Sequence, residues 1–205
     1  EDTPARVTTD GAVETDDGVQ DHDAVVVAAG AHTRSVVAAL APLPVKPYRV
    51  QALVTERVDI EPPMLFDATN GFYLRPYDGG LLVGDGTEPV EQDPDDWERA
   101  ADQEFVTDCA MYQERAVGWS WPDDRAWAGL CTATPDGDPL VGALADGVYV
   151  ATGWQGHGLM RAPAVAERLA EQIVGDGEAI SGFEPSRFDG DEAFEIVEGM
   201  DLERR

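Results

Sequence analysis

The sequence predicts a mixed α/β fold, and three features predict it. Residues 24–30 read AVVVAAG, with three valines in a row, the habit of a parallel strand buried on both faces. Residues 147–175, GVYVATGWQGHGLMRAPAVAERLAEQIVG, join a short apolar strand to a glycine-dense turn and then to an amphipathic helix. Between these two stretches lie runs of alternating apolar and polar residues, bounded by turn signals, that fit an antiparallel sheet.

Taken in order, residues 6–23 form a short β-ribbon turning at Asp10-Gly11 and Asp17-Gly18. The valine strand follows, then a short helix over 31–40 that ends before PLPVKP. Strands are expected at 48–55, 71–76 and 81–84, with Asp78-Gly79-Gly80 as the hairpin turn between the last two. Residues 94–117 read as one helix, because Trp97, Ala101, Phe105, Cys109, Tyr112 and Ala116 share a stripe. Residues 127–134 are a further strand, and Pro135-Asp136-Gly137-Asp138-Pro139 is a turn by composition. The tail beyond Gly175 carries Asp189, Asp191, Glu192, Glu195 and Glu198 and is too polar to place, with part of it expected to be disordered.

The turn at 153–158 has a physical signature of its own. Gly153, Gly156 and Gly158 lack the Cβ atoms that keep a bound group at a distance. Leu159, Ala162, Val165, Ala166, Leu169, Ala170 and Ile173 then recur at helical spacing, with Gly175 in the C-capping position. A helix starting near Leu159 brings its free N–H groups and positive dipole end to the glycine turn, which suits an anionic group. Spacing alone fits equally a tight strand-to-helix connection in any α/β protein.

Composition narrows the setting. There are 41 acidic against 14 basic residues, Lys46 is the single lysine, and the net charge is −27. Hydrophobic residues at 43% and five tryptophans exclude a disordered acidic chain, so the charge belongs to the surface of a packed protein. A carboxylate-rich, lysine-poor surface of this kind resembles that of proteins working in molar salt, where the Debye length of roughly 3 Å screens self-repulsion. Nucleic acid and anionic membranes are disfavoured as partners. Two cysteines, Cys109 and Cys131, make no disulfide framework and no zinc motif, so no metal site is expected. Without a long apolar run or a signal-peptide pattern, a soluble cytoplasmic protein is expected.

Five segments in order resemble the C-terminal half of the D-amino acid oxidase superfamily, in the branch of glycine oxidase, sarcosine oxidase and dimethylglycine dehydrogenase. They are DAVVVAAGAHT, the Pro47-to-Gln51 segment PxRxQ, YLRPYDGGLLVGDGT, WAGLCTATPDGDPLVG and GVYVATGWQGHGLMRAPA. The family's opening βαβ unit, with GxGxxG and an acidic strand end, has no counterpart here. The resemblance therefore implies a C-terminal portion of the fold, inactive alone: residues 1–47 from an incomplete Rossmann-like FAD-binding domain, 48–127 a substrate domain on a mostly antiparallel sheet, 128–180 a returning FAD-binding segment, and 181–205 an acidic tail.

The same resemblance implies non-covalent FAD as cofactor, bound only with the missing half. Ala29, Gly30 and Ala31 would pass the ribose and pyrophosphate, while Gly153, Trp154, Gln155, Gly156, Gly158, Leu159 and Met160 would run along the flavin. His157 would lie near the ring, Tyr73 would contact substrate, and Arg75, two residues on, would share its face. His22 and His32 are ordinary loop histidines. Four positions depart from relatives. Cys131 and Gly156 stand where glycine oxidase has arginines, Met160 where monomeric sarcosine oxidases have a lysine that helps oxygen react, and Gly129 where those enzymes tether FAD through cysteine.

The implied function is oxidation of a C–N bond of an amino acid or N-methyl amine by hydride transfer to flavin. The substrate would be a small amine, the electron acceptor oxygen or another molecule, and oligomeric state is left open. The same fold also oxidises hydroxy acids and glycerol 3-phosphate, and a non-catalytic acidic interaction domain is the reading from another class. The charge balance makes one prediction directly: the thermal midpoint rises between about 0.1 and 2 M KCl as carboxylate repulsion is screened. A flat or falling midpoint would refute the salt-adapted reading.

Overall fold

A computed structural model describes residues 3–84, 86–175 and 177–197. The chain divides into two compact units, residues 1–48 with 131–205 and residues 49–130.

The first unit holds a three-stranded ribbon, β1 (Ala5–Val7), β2 (Val13–Thr15) and β3 (Gly18–Gln20), paired antiparallel in that order. β4 (Val25–Val27) leads into a 3-10 turn at Gly30–His32 and α1 (Thr33–Val36). β5 (Lys46–Thr55) then carries the chain into the second unit. That unit holds β6 (Leu65–Asp67), β7 (Phe72–Tyr77), β8 (Gly80–Gly84), β9 (Glu88–Glu91) and α2 (Gln103–Val117). β10 (Asp123–Ala133) returns the chain to the first unit, followed by β11 (Leu140–Ala145), β12 (Val148–Thr152) and α3 (Gly158–Val174).

Sheet order in the second unit is β10-β5-β8-β7-β6, with β9 also on β5. The β7–β8 hairpin turns through Asp78 at φ 48 and Gly79 at φ 79, the double left-handed conformation that matches strand twist. Gly80 opens β8, where a Cβ would come within 2.4 Å of the Thr55 carbonyl oxygen. One face of the sheet offers Leu53, Leu74, Leu81 and Val83 to Phe105, Cys109 and Tyr112 of α2. Each fully buried side chain of this size is worth about 1.5–3 kcal/mol. Burial, and then Asp108, pushes the Cys109 thiol up to about 12, so it packs as an apolar group.

The 94–117 helix begins later than its stripe predicts, at Gln103. Arg49, 4% exposed, explains the delay. Its Nε donates to the Glu98 carbonyl at 2.9 Å and its Nη2 to the Ala100 carbonyl at 2.6 Å, carbonyls that a helix would have consumed. Nη1 pairs with Asp102 at 2.9 Å and with the Glu88 carboxylate. Gln51 completes the cluster, accepting from the Asp102 amide at 2.7 Å and donating to the Asp102 carboxylate at 3.0 Å. The Arg49 hydrogen bond holds the Asp102 carboxyl below the usual carboxylate range, and Asp102 holds Arg49 charged. The Arg and Gln of the PxRxQ segment thus tie β5 to the start of α2.

In the first unit β11 pairs antiparallel with β12, and β12 pairs parallel with β4. Its core is Val7, Val27, Val37, Leu43, Val45, Leu140, Val148 and Val150. The valine strand is not buried on both faces: β4 ends the three-stranded sheet, and Val26 is 46% exposed. The tail expected to resist placement is ordered as far as it is described. Arg187 donates to both Asp136 carboxylate oxygens at 2.9 Å, and Ile196 is buried. Glu198 and the rest of 198–205 lie outside the described residues.

Candidate functional site

Parallel pairing of β12 with β4 sets Val150 against Val27, so the segments that follow both strands leave the sheet at the same end. Ala29, Gly30 and Ala31 leave β4 there, with Gly30 at φ 54. Gly153 to His157 leave β12 beside them, and the Thr152 hydroxyl lies 3.5 Å from the Gly30 carbonyl oxygen. Thr132 at the end of β10 fixes this second turn: its hydroxyl accepts from the Gly153 amide at 3.1 Å, and its carbonyl accepts from the Gln155 amide at 3.0 Å. Gly153 has no substitute, because a Cβ there would sit 2.4 Å from Thr134 Cγ2. His157 precedes α3, and its carbonyl accepts from the Met160 and Arg161 amides. An apolar groove of about 560 Å³ runs from these turns along α3, between Val26, Ala28, Gly30 and Trp154 on one side and Leu159 and Val165 on the other.

In the second unit, alternation along β7 turns Phe72 and Leu74 toward α2, where Phe72 stacks on Tyr112 at 4.4 Å. Tyr73, Arg75 and Tyr77 share the opposite face. The Tyr73 ring lies over Gly84, where a Cβ would come within 2.6 Å of it. The Arg75 guanidinium lies 5.4 Å from the Tyr77 ring centroid, and no carboxylate among the described residues pairs with it. Arg125 extends this array, 6.0 Å from the Tyr77 ring and 5.2 Å from that of Trp127.

Residues 1–172 match the family described as FAD dependent oxidoreductase, DAO. The chain belongs to that family. A curated relative, 4-methylaminobutanoate oxidase (formaldehyde-forming) from Paenarthrobacter nicotinovorans, is 29% identical over 195 residues, covering 85% of this chain and 23% of its own length. Glycine oxidase from Geobacillus kaustophilus superposes with a TM-score of 0.78 at 23% identity, over 91% of this chain and 52% of that one. L-Proline dehydrogenase from P. horikoshii gives 0.72 at 28% identity, over 86% and 50%. The chain spans about a quarter of the length of the first curated relatives it matches.

The residues at the paired turns fit a flavin nucleotide in kind. Gly30 offers open space where a Cβ would stand, and α3 begins beside the turn, where the Gly158 and Leu159 amides have no acceptor one turn back within the helix. The buried Gln155 Oε1 has no hydrogen-bond partner among the described residues. Cys131 and Gly156 prove to be neighbours, since a Cβ on Gly156 would stand 3.9 Å from Cys131 Sγ. The two positions at which the resemblance implies arginines therefore form one small uncharged place. The sequence reading missed Thr132 and Thr152; Thr152 has the signal of a hydroxyl residue at a strand end before a glycine, whereas Thr132, between Cys131 and Ala133, has none.

Burial, and secondarily Arg161, lowers the His157 pKa below the ordinary imidazole range. The folded state therefore prefers neutral His157. Its stabilising share is present above the unfolded imidazole pKa and is lost as pH falls through that value to the folded one. Thermal melts of the chain and of His157→Gln from pH about 8 to about 5 should show the parent losing stability faster than the variant below pH about 6.5. Parallel curves would remove the inference.

Proposed function

We propose that this chain is the flavin-facing and substrate-facing portion of an FAD-dependent oxidoreductase that oxidises a C–N bond of an amino acid or N-methyl amine. The observation that carries the reading is the pair of glycine turns at the carboxyl ends of neighbouring parallel strands, beside a helix N-terminus, where open α/β sheets take ligands. Ala29, Gly30 and Ala31 would hold the ribose and pyrophosphate region, and Gly153, Trp154, Gln155, Gly156, Gly158, Leu159 and Met160 the isoalloxazine edge. Bound FAD supplies the acceptor for the hydride that leaves the carbon beside the amine nitrogen. The amides at the start of α3 stabilise negative charge near them, and neutral His157 adds no competing cation.

No protein nucleophile is required, so Tyr73 and Arg75 position substrate rather than react with it. The substrates named for two relatives, 4-methylaminobutanoate and L-proline, each carry a secondary amine and a carboxylate. With Cys131 and Gly156 uncharged, Arg75 is the cation assigned to a carboxylate. Oxidase and dehydrogenase forms both fit, since Met160 replaces the lysine of the oxygen-reactive relatives.

The exposed edge of β4 and the open groove along α3 support a requirement for more of the fold than these 205 residues. The chain alone should purify colourless and bind FAD weakly or not at all. Joined to a family dinucleotide-binding half it should be yellow and release its flavin on denaturation. A joined protein that stays colourless at saturating FAD would sink the reading, and flavin retained on denatured chain would contradict the non-covalent assignment.

In that flavin-bearing protein, Arg75→Met should lower kcat/KM for a carboxylate-bearing amine by roughly tenfold to a hundredfold, the size expected for losing a charge-assisted pair. An amine without a carboxylate should change much less. Equal activity on the carboxylate substrate would eliminate Arg75 as the anchor.

A further inference from the structure

The family match ends at residue 172, yet the chain beyond α3 is bound to the first unit at several points. The Phe183 carbonyl accepts from the Val141 amide at 2.7 Å. Arg187 pairs with Asp136 and also donates to the Asp138 and Pro139 carbonyls at 2.8 and 3.1 Å. Gly190 lies so close to Pro42 that a Cβ would meet it at 2.6 Å. Lys46 donates to the Phe194 carbonyl at 2.6 Å, with its ammonium 4.4 Å from the Phe194 ring centroid. The last described contact is Gln155 Nε2 donating to the Val197 carbonyl at 2.9 Å.

Gln155 is the residue of the 153–157 turn under strain. Its φ is 49, in a left-handed region that a residue with a Cβ occupies sparsely, and it is 2% exposed with Oε1 unpartnered among the described residues. Released, the side chain could put that oxygen in water and the backbone could return to negative φ. Two contacts oppose release: the Gln155 amide to Thr132, and the side-chain bond to Val197.

We propose that residues 183–197 are a strap, anchored by Arg187 and Lys46, that sets the 153–157 turn through Gln155, which makes Gln155 a positioning residue. The consequence for flavin rests on the function proposed above, whereas the mechanical coupling does not. Positional logic supports it: each anchor includes a hydrogen bond from a cationic side chain to a backbone carbonyl, a bond that survives in salt better than exposed ion pairs do.

The test uses the 205-residue chain without cofactor. Hydrogen–deuterium exchange is followed at the 153–157 amides, with β11 and β12 amides as the internal reference, in the parent, in Lys46→Met and in a chain ending at Asp191. Exchange at 153–157 should rise at least about tenfold on truncation and by less in Lys46→Met, while the reference amides keep their protection. Unchanged exchange at 153–157 in both would overturn the strap. Should the truncated chain fail to fold, Lys46→Met alone decides.

A second measurement separates positioning from general stabilisation. Gln155→Gly loses the clamp but adopts φ 49 without strain, so it should lower the thermal midpoint of the full chain and leave unchanged or raise that of the truncated chain. Equal shifts in the two backgrounds would overturn the positioning role. In the flavin-bearing protein, truncation should weaken FAD binding about tenfold. If coupling appears in the cofactor-free chain while FAD affinity stays fixed, the strap stands and the assignment of the turn to flavin fails.

Discussion

Parallel pairing of β12 with β4 is the constraint from which the rest of the candidate site follows. Two strands running the same way must deliver their following segments to the same end of the sheet. The two glycine turns meet for that reason, although 122 residues separate Gly30 from Thr152, whose hydroxyl reaches the Gly30 carbonyl. An antiparallel arrangement of the same sequences would send the turns to opposite ends. Closing so long a loop costs chain entropy, and the fully buried Val148 and Val150, packed with Val27, are the apolar contacts that offset it.

A chain with 41 acids and 14 bases has few cations to place, and several of them bond to backbone carbonyls rather than to surface carboxylates alone. Arg49 satisfies Glu98 and Ala100, Arg187 satisfies Asp138 and Pro139, and Lys46 satisfies Phe194. An exposed ion pair contributes little, and less as salt rises. A buried guanidinium bonded to two carbonyls and a carboxylate remains worth more, and removing it would leave those acceptors unpaired at about 1–3 kcal/mol each. Part of the scarce positive charge, Lys46, Arg49 and Arg187, therefore sits where irregular backbone needs donors.

That pattern explains what the sequence could and could not reveal. α3 was legible because apolar spacing, a glycine turn before it and Gly175 after it all agree, and the β7–β8 hairpin was legible from Asp78-Gly79. Residues 94–102 were not, because a helical stripe there is overruled by Arg49, whose partners lie about 50 positions away. The tail looked unplaceable because its binding is done by Lys46, Pro42 and Asp136, none of which the tail's own composition reveals. The exposure of Val26 was hidden for a similar reason: three valines specify a strand, while the number of neighbours it has is set elsewhere. In the candidate site the glycines and Gln155 could be named from the motif, but the threonines that hold them depend on a strand junction that the motif does not encode.

Cys131 and Gly156 bear on what kind of substrate such a site can hold. At the two positions where the resemblance implies arginines, a thiol and a hydrogen stand as neighbours, and a desolvated carboxylate left there unpaired would be strongly disfavoured. On the second unit's sheet, Arg75 and Arg125 each lie against an aromatic ring, with no carboxylate partner among the described residues, in a chain where acids outnumber bases almost threefold. Guanidiniums held on rings have already lost part of their rotameric freedom, so binding an anion costs them less than it would cost a mobile surface arginine. Arg75 also donates to the Pro76 carbonyl at 3.4 Å, so its guanidinium is held both by the ring and by the backbone of its own strand.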